Sequence, residues 1–220
     1  MRHLVRTNKP RILEEKDVIW TQKFIESGKD RPTNGSSTYA HTEVKKALSD
    51  ISFQKCFYSE VKFANLSEAQ VDHYIEVTED KTKTFEWNNL FLSHKDSNQG
   101  KKPNRIIPNS EILNPFIDSD EEIEKHLFFD DDENIRFLSE KGRKTIEKYR
   151  LDKTIFNELR RQKLKEYRKV LESILVSIES NPDKNGMSEV DKNALRIFSQ
   201  TDSPFSYMFK LILKRNNLKL

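Results

Sequence analysis

Apolar side chains recur at three- and four-residue intervals through ILEEKDVIWTQKFIES and predict a helix over residues 10–28. The loop-forming stretch GKDRPTNGSST ends it, and AHTEVKKALSDI predicts a short second helix leading to Phe53. Two β-prone runs follow, KCFYSEVKF and AQVDHYIEV, separated by the turn-like ANLSE. After the polar EDKTKT, the segment FEWNNLFLSHKDSN is expected to turn into a helix that ends at Gly100. Further on, HLFFD and NIRFLS predict two small strands around the turn DDEN. From Gly142 the pattern becomes helical, through TIEKYRL and then a long run from Lys153 to Ser180. Ile155, Leu159, Leu171, Ile174, Leu175 and Ile178 mark that run's expected apolar stripe, and Asn181-Pro182 ends it. Two more helices are expected near 188–199 and 204–215, and the chain contains no internal repeat.

Composition narrows the class. Of 220 residues, 35% are hydrophobic and 34% charged, so the core is lean and much of the surface is solvated or meets a charged partner. Fourteen Phe residues supply enough bulky material to argue against disorder. Cys56 is the single cysteine, which excludes an intrachain disulfide and fits a reducing cytoplasm. The first residues lack the apolar run of a signal peptide, and no stretch approaches the ~18 apolar residues of a membrane span. The expectation is a cytoplasmic protein with no membrane partner.

Charge is distributed unevenly. Residues 1–110 carry a net +3, residues 111–139 a net −8, and residues 140–220 a net +8. Such runs are commonly solvated faces. The sharper alternative is a basic third that grips a polyanion and an acidic strip that docks on a basic protein. Arg160, Arg161, Lys163, Lys165, Arg168 and Lys169 on the long helix are either a track for a nucleic-acid backbone or the exposed face of a packed helix.

Candidate chemistry concentrates between Val71 and Lys102. Asp72-His73 closes a short apolar run, Asn89 stands in a WNNL turn, and Asn98 follows nine residues later. Hydrolysing a phosphodiester needs an attacking water and charge neutralisation at phosphorus. An imidazole such as His73 titrates in the range suited to a general base. Asp72 and Asn98 offer the hard oxygens that Mg²⁺ or Mn²⁺ prefers. Neighbours on a strand point to opposite sides, so Asp72 and His73 converge only near the strand end. Asn89, grouped with His73 in the catalytic set, suits bonding to backbone groups that fix the intervening loop. Lys101 and Lys102 stand where they can contact phosphate.

Each of these residues also has a plainer reading. An Asp-His pair is a common surface dipeptide, WNNL is an ordinary turn, and an Asn before Gln-Gly often ends a helix. His3, His41 and His126 have no partner motif and read as structural or exposed. Phe57, Tyr58, Phe63, Trp87 and Phe91 read as core rather than as base-stacking platforms.

The stretch resembles the ββα-metal core of HNH nucleases, in the variant whose third residue is Asn. It is especially similar to the HNH domain of RNA-guided nucleases. The wider chain resembles the PtuB-type HNH proteins of Septu and retron anti-phage systems through KCFYSE, VDHYIEV, FEWNNLFLSHKDSNQGKKP and LNPFIDSDEEIEKHLFF. The likeness covers roughly residues 50–170. It implies an α+β fold with an HNH core over 50–110, preceded by a partner-docking segment over 1–49. An acidic hairpin and a helical region then follow over 111–220. It implies His73 as general base, Asp72 and Asn98 as metal ligands and Asn89 as the residue that fixes the loop. It further implies a nuclease effector, on DNA or tRNA, that works with a PtuA-like ABC/SMC-type ATPase. In a retron setting, a reverse transcriptase with its RNA–DNA hybrid would join them. A catalytically inactive adaptor that keeps the HNH shape remains the other reading.

Many relatives of that type carry two CxxC pairs around a structural zinc. The matching positions here are Cys56, Ser59, His94 and Ser97. Serine hydroxyls are poor zinc ligands, so no structural zinc is expected and the knuckle must be held by packing and hydrogen bonds. A non-standard site on Cys56 and His94 with outside ligands is the rival view.

Overall fold

A computed structural model describes residues 1–33, 38–98, 107–181 and 186–217. It is an α+β assembly of eight α-helices and two small antiparallel sheets among these residues. Helices α1 (Arg11–Glu26) and α2 (Thr42–Ser52) come first. His41 caps α2 by accepting the Glu43 amide at Nδ1, 3.2 Å away. Strands β1 (Ala69–His73) and β2 (Leu90–His94) then form a two-stranded ladder in which Asp72 faces Phe91 and His73 faces Leu90. Helix α3 (Lys95–Asn98) leaves directly from β2.

Two sequence expectations are corrected here. KCFYSEVKF is a tight knuckle rather than a strand, held by a single antiparallel bridge between Lys55 and Lys62. The cause is local: the Glu60 backbone turns left-handed (φ 60°) and folds the segment back, so that the Cys56 amide donates to the Val61 carbonyl at 2.9 Å. LFLSH, expected within a helix, is strand β2. Its first four residues are all buried, and a short continuous apolar run fits a buried strand as well as a helix.

Beyond the core, α4 (Asp120–Glu124) leads into the hairpin β3 (Leu127–Phe129) and β4 (Ile135–Phe137). Helix α5 (Glu140–Tyr149) packs so closely on this hairpin that a Cβ at Gly142 would lie 2.1 Å from the His126 carbonyl oxygen. Only glycine permits that approach. Helices α6 (Thr154–Glu179), α7 (Glu189–Arg196) and α8 (Ser206–Arg215) complete the architecture. The apolar stripe of α6 is rotated from its expected setting. Phe156, Leu164, Tyr167 and Ile174 are buried, whereas Ile155 and Leu175 are exposed. Arg160, expected on a polar face, is only 2% exposed and lies near the rings of Phe129 and Phe205.

The acidic and basic blocks face each other. Asp120 binds Lys210 at 3.0 Å and Arg2 at 3.3 Å, Asp118 binds Lys141 at 2.9 Å, and Lys144 pairs with Glu111. Much of the charge read as docking surface is therefore consumed within the fold. Among the described residues, no helix is long and apolar enough to cross a membrane.

One acid in the hairpin is not paid for in this way. Glu133 sits in the β3–β4 turn with φ 58°, is buried, and its Oε2 has no hydrogen-bond partner among the described residues. Burial pushes its carboxyl up to about 7, against the pull of Arg215 and Arg168 and with the repulsion of Asp130 and Asp131. The folded value exceeds the unfolded one, so the stabilising contribution is whole below about pH 4.5 and lost as pH rises through about 7. At ~1.4 kcal/mol per unit, the loss is about 3 kcal/mol. Glu133→Gln should therefore stabilise the protein by about 2–3 kcal/mol at pH 8 and by under about 1 kcal/mol at pH 5. Urea unfolding at the two pH values tests this, and an equal gain at both would contradict it.

Candidate active site

Alternation along β1 sends Gln70 and Asp72 to one face of the ladder and Val71 and His73 to the other. Asp72 is 5% exposed, and Tyr58 donates its hydroxyl to Oδ2 at 3.1 Å. Tyr58 is fully buried and stacks on Tyr149 at 3.7 Å and 12°. Desolvation, then the Asp72 charge, holds the Tyr58 phenol well above its ordinary value, so it stays a donor. Asn98, at the end of α3, donates from Nδ2 to Gln70 Oε1 at 3.0 Å. Gln70 lies two residues from Asp72, roughly 7 Å along the strand. The structure thus brings Asp72 and Asn98 to the same face.

His73 occupies the opposite face at the strand terminus. Its Nε2 is 2.9 Å from the carbonyl oxygen of Thr84. A carbonyl only accepts, so the neutral ring carries its hydrogen on Nε2 and its basic lone pair on Nδ1. Tyr39 packs on the ring with centroids 4.6 Å apart. Burial and then the Asp72 carboxylate raise the Tyr39 phenol. Tyr39 therefore packs on the imidazole within range of the Asp72 charge.

Asn89 is buried and clamps the loop between the strands. Its Oδ1 accepts the Ile75 amide at 2.6 Å, and its Nδ2 donates to the carbonyls of Ile75 and Lys83, both at 3.0 Å. Lys83 precedes Thr84, so this clamp fixes the carbonyl that orients His73. Asn89 thus bears on His73 through that loop.

Three of the four knuckle positions meet. The Cys56 thiol lies 4.0 Å from the Ser97 hydroxyl, and the Ser59 amide donates to the Cys56 sulfur at 3.5 Å. His94 accepts the Asp96 amide at Nδ1, 3.2 Å away, and stacks near Phe63. Burial lowers the His94 imidazole despite Asp96, which favours the neutral ring. Among the described residues, no cluster of three or more His, Cys, Asp or Glu side chains is placed to hold a metal. The Asp72–Asn98 pair is a different kind of donor set, two hard oxygens on one face. Hard oxygens are the donor type that a cation such as Mg²⁺ takes alongside several waters. Lys101 and Lys102 lie outside the described residues.

Sequence reasoning missed the role of Lys55 and Glu60 in the knuckle. Both are buried. Glu60 accepts the Ser206 hydroxyl at 2.8 Å and the Tyr207 amide at 3.3 Å, tying the start of α8 to the knuckle. Lys55 donates to the carbonyls of Thr201 and Ser203 at 2.5 and 3.0 Å. Burial pushes the Glu60 carboxyl up, but the Met1 ammonium, Lys55 and Ser206 outweigh it and leave the value at about 2. Nothing in KCFYSE announces this, because partners more than 140 residues away supply it.

No protein-family model matches the chain. Over 120 residues it is 31% identical to the Septu protein PtuB of Bacillus thuringiensis. The match covers 54% of this chain and 44% of that protein, so the chain spans less than half the length of the relative it matches.

Proposed function

We propose that this chain is a metal-dependent endonuclease of the HNH type. We further propose that it is the effector of a Septu-type anti-phage system, working with a PtuA-like ATPase. The observation that carries the chemical part is the linked placement of four side chains. His73 is held at Nε2 by a carbonyl that Asn89 keeps in place, at the end of the strand whose other face carries Asp72 and, two residues earlier, Gln70, which binds Asn98. The defence role rests on the partial likeness to the Septu protein PtuB.

In this reading Asp72 and Asn98 would hold a Mg²⁺ or Mn²⁺ ion, which would supply charge neutralisation at the phosphoryl group. His73 takes the proton of the attacking water at Nδ1 as the water oxygen bonds to phosphorus and the bond from phosphorus to the departing sugar oxygen breaks, that oxygen taking a proton from solvent. Thr84 and Asn89 keep the ring from rotating, which lowers the entropy lost in reaching the attack geometry. Tyr58 holds one oxygen of Asp72 and so fixes the carboxylate plane. Ser59 and Ser97, with Cys56, take the place of a structural zinc through packing and hydrogen bonds.

The purified chain, alone and with its ATPase partner, should cleave labelled DNA or tRNA with Mg²⁺ and lose that activity in chelator. The same preparation should contain far less than one zinc per chain. A complex that defends cells yet cleaves neither substrate with any divalent ion would instead support a non-catalytic adaptor. The burial of Asp72 beneath Tyr58 is what favours that second reading.

A further inference from the structure

We infer that the cavity walled by Trp20, Phe24, Phe85 and Pro32, with Lys23 and Lys29 at its margin, seats one unpaired nucleobase of the strand presented to His73. This rests on the proposed nuclease reading and names how its substrate is held.

Three observations lead there. The cavity is about 170 Å³, room for a single flat ring system and too small for the ~300–1,000 Å³ of a drug-sized ligand. Its walls are rings: Trp20 and Phe85 lie 5.6 Å apart at 53°, and Phe24 meets Phe85 edge-on at 6.4 Å. Every base offers a π-face, so such walls accept a base without demanding a sequence.

The margin is cationic. Lys23 and Lys29 are exposed, and among the described residues neither ammonium pairs with a carboxylate. The nearby Asp30 carboxylate is already engaged by Lys81 at 3.6 Å. An aromatic recess rimmed by uncompensated ammonium groups suits a base attached to a phosphodiester better than an aliphatic side chain of a protein.

The cavity also adjoins the site. Phe85 directly follows Thr84, whose carbonyl binds His73, and its ring lies 6.4 Å from that of Tyr39, which packs on the imidazole. A base held there anchors its strand beside His73, so the cavity would favour single-stranded, frayed or looped substrate over an intact duplex.

The test uses the full chain carrying His73→Ala, so that bound strand is not consumed. The probes are fluorescein-labelled DNA and RNA single strands of about 20 nucleotides, with 2-aminopurine or an abasic site moved through successive positions. One 2-aminopurine position should be strongly quenched. Trp20→Leu should weaken binding of the intact strand about 5–150-fold and leave the strand that is abasic at that position within about twofold. Trp20→Phe should retain most of the affinity and serves as the folding control. Lys23→Ala and Lys29→Ala should each reduce the salt dependence by about one counterion.

Equal weakening of intact and abasic strands, quenching at no position, or no strand binding at all overturns the inference. Seating of a base by a chain that never cleaves even with His73 intact would instead remove the nuclease reading and leave the cavity standing. Cleavage by the His73-bearing chain that Trp20→Leu leaves unchanged would remove the cavity alone. DNA and RNA arms that differ would identify which sugar the neighbouring groups tolerate.

Discussion

On the proposed nuclease reading, replacing His73 with Ala should lower divalent-dependent strand cleavage by about 10²–10⁴-fold while the protein remains folded. The ring is part-buried at a strand end, where it meets the Thr84 carbonyl and the Tyr39 ring. Deleting it removes little core surface, so the loss should fall on the rate and not on unfolding. Asn89→Ala makes the contrast. It strips three part-buried hydrogen bonds from the loop and frees the Thr84 segment, so both stability and, on the proposed reading, rate should decline. Single-turnover cleavage read beside thermal unfolding separates the two. A His73→Ala chain that cuts within about tenfold of the parent would remove the imidazole from the role of base.

Glu60→Ala should cost about 3–5 kcal/mol of folding stability, because it leaves the buried Lys55 ammonium without its carboxylate. It also strips the Ser206 hydroxyl and the Tyr207 amide of their acceptor. Glu60→Gln keeps an acceptor for Ser206 and should cost less. Replacement by Gly would relax the left-handed backbone, so Ala is the cleaner probe of the charge. Urea denaturation of the three variants gives the order. A loss under about 1 kcal/mol for Glu60→Ala would mean that α8 is held by apolar packing alone.

Much of the helical layout was legible because amphipathic spacing and loop residues both mark it. The helices over 11–26, 42–52, 140–149 and 154–179 and the hairpin around Glu133 all lie where periodicity placed them. The strand pair was harder. LFLSH is buried throughout its first four residues and has no alternation to betray a strand. The knuckle depends on a left-handed Glu60, a residue type with no intrinsic preference for that backbone.

The turn of α6 was misplaced because Arg160 was counted as polar surface. Cation–π contact with Phe129 and Phe205, and its bonds to the Leu151 carbonyl and Asn157, bring it inside. In the candidate site, residue types suggested which side chains matter. Only coordinates assign the Thr84 carbonyl to His73 and Gln70 to Asn98, because those contacts join segments that the sequence pattern does not link.

The bond between Glu60 and Ser206 spans 146 residues, and the one between Lys55 and Ser206 spans 151. During synthesis, the knuckle that abuts β2 emerges from the ribosome long before its carboxylate and ammonium can meet their last partners. Contacts so distant along the polypeptide form late and slowly. A nascent chain thus completes the ties between the knuckle and α8 only after translation has passed Tyr207. On the proposed nuclease reading, that order delays competence until the residues around Ser206 have been made.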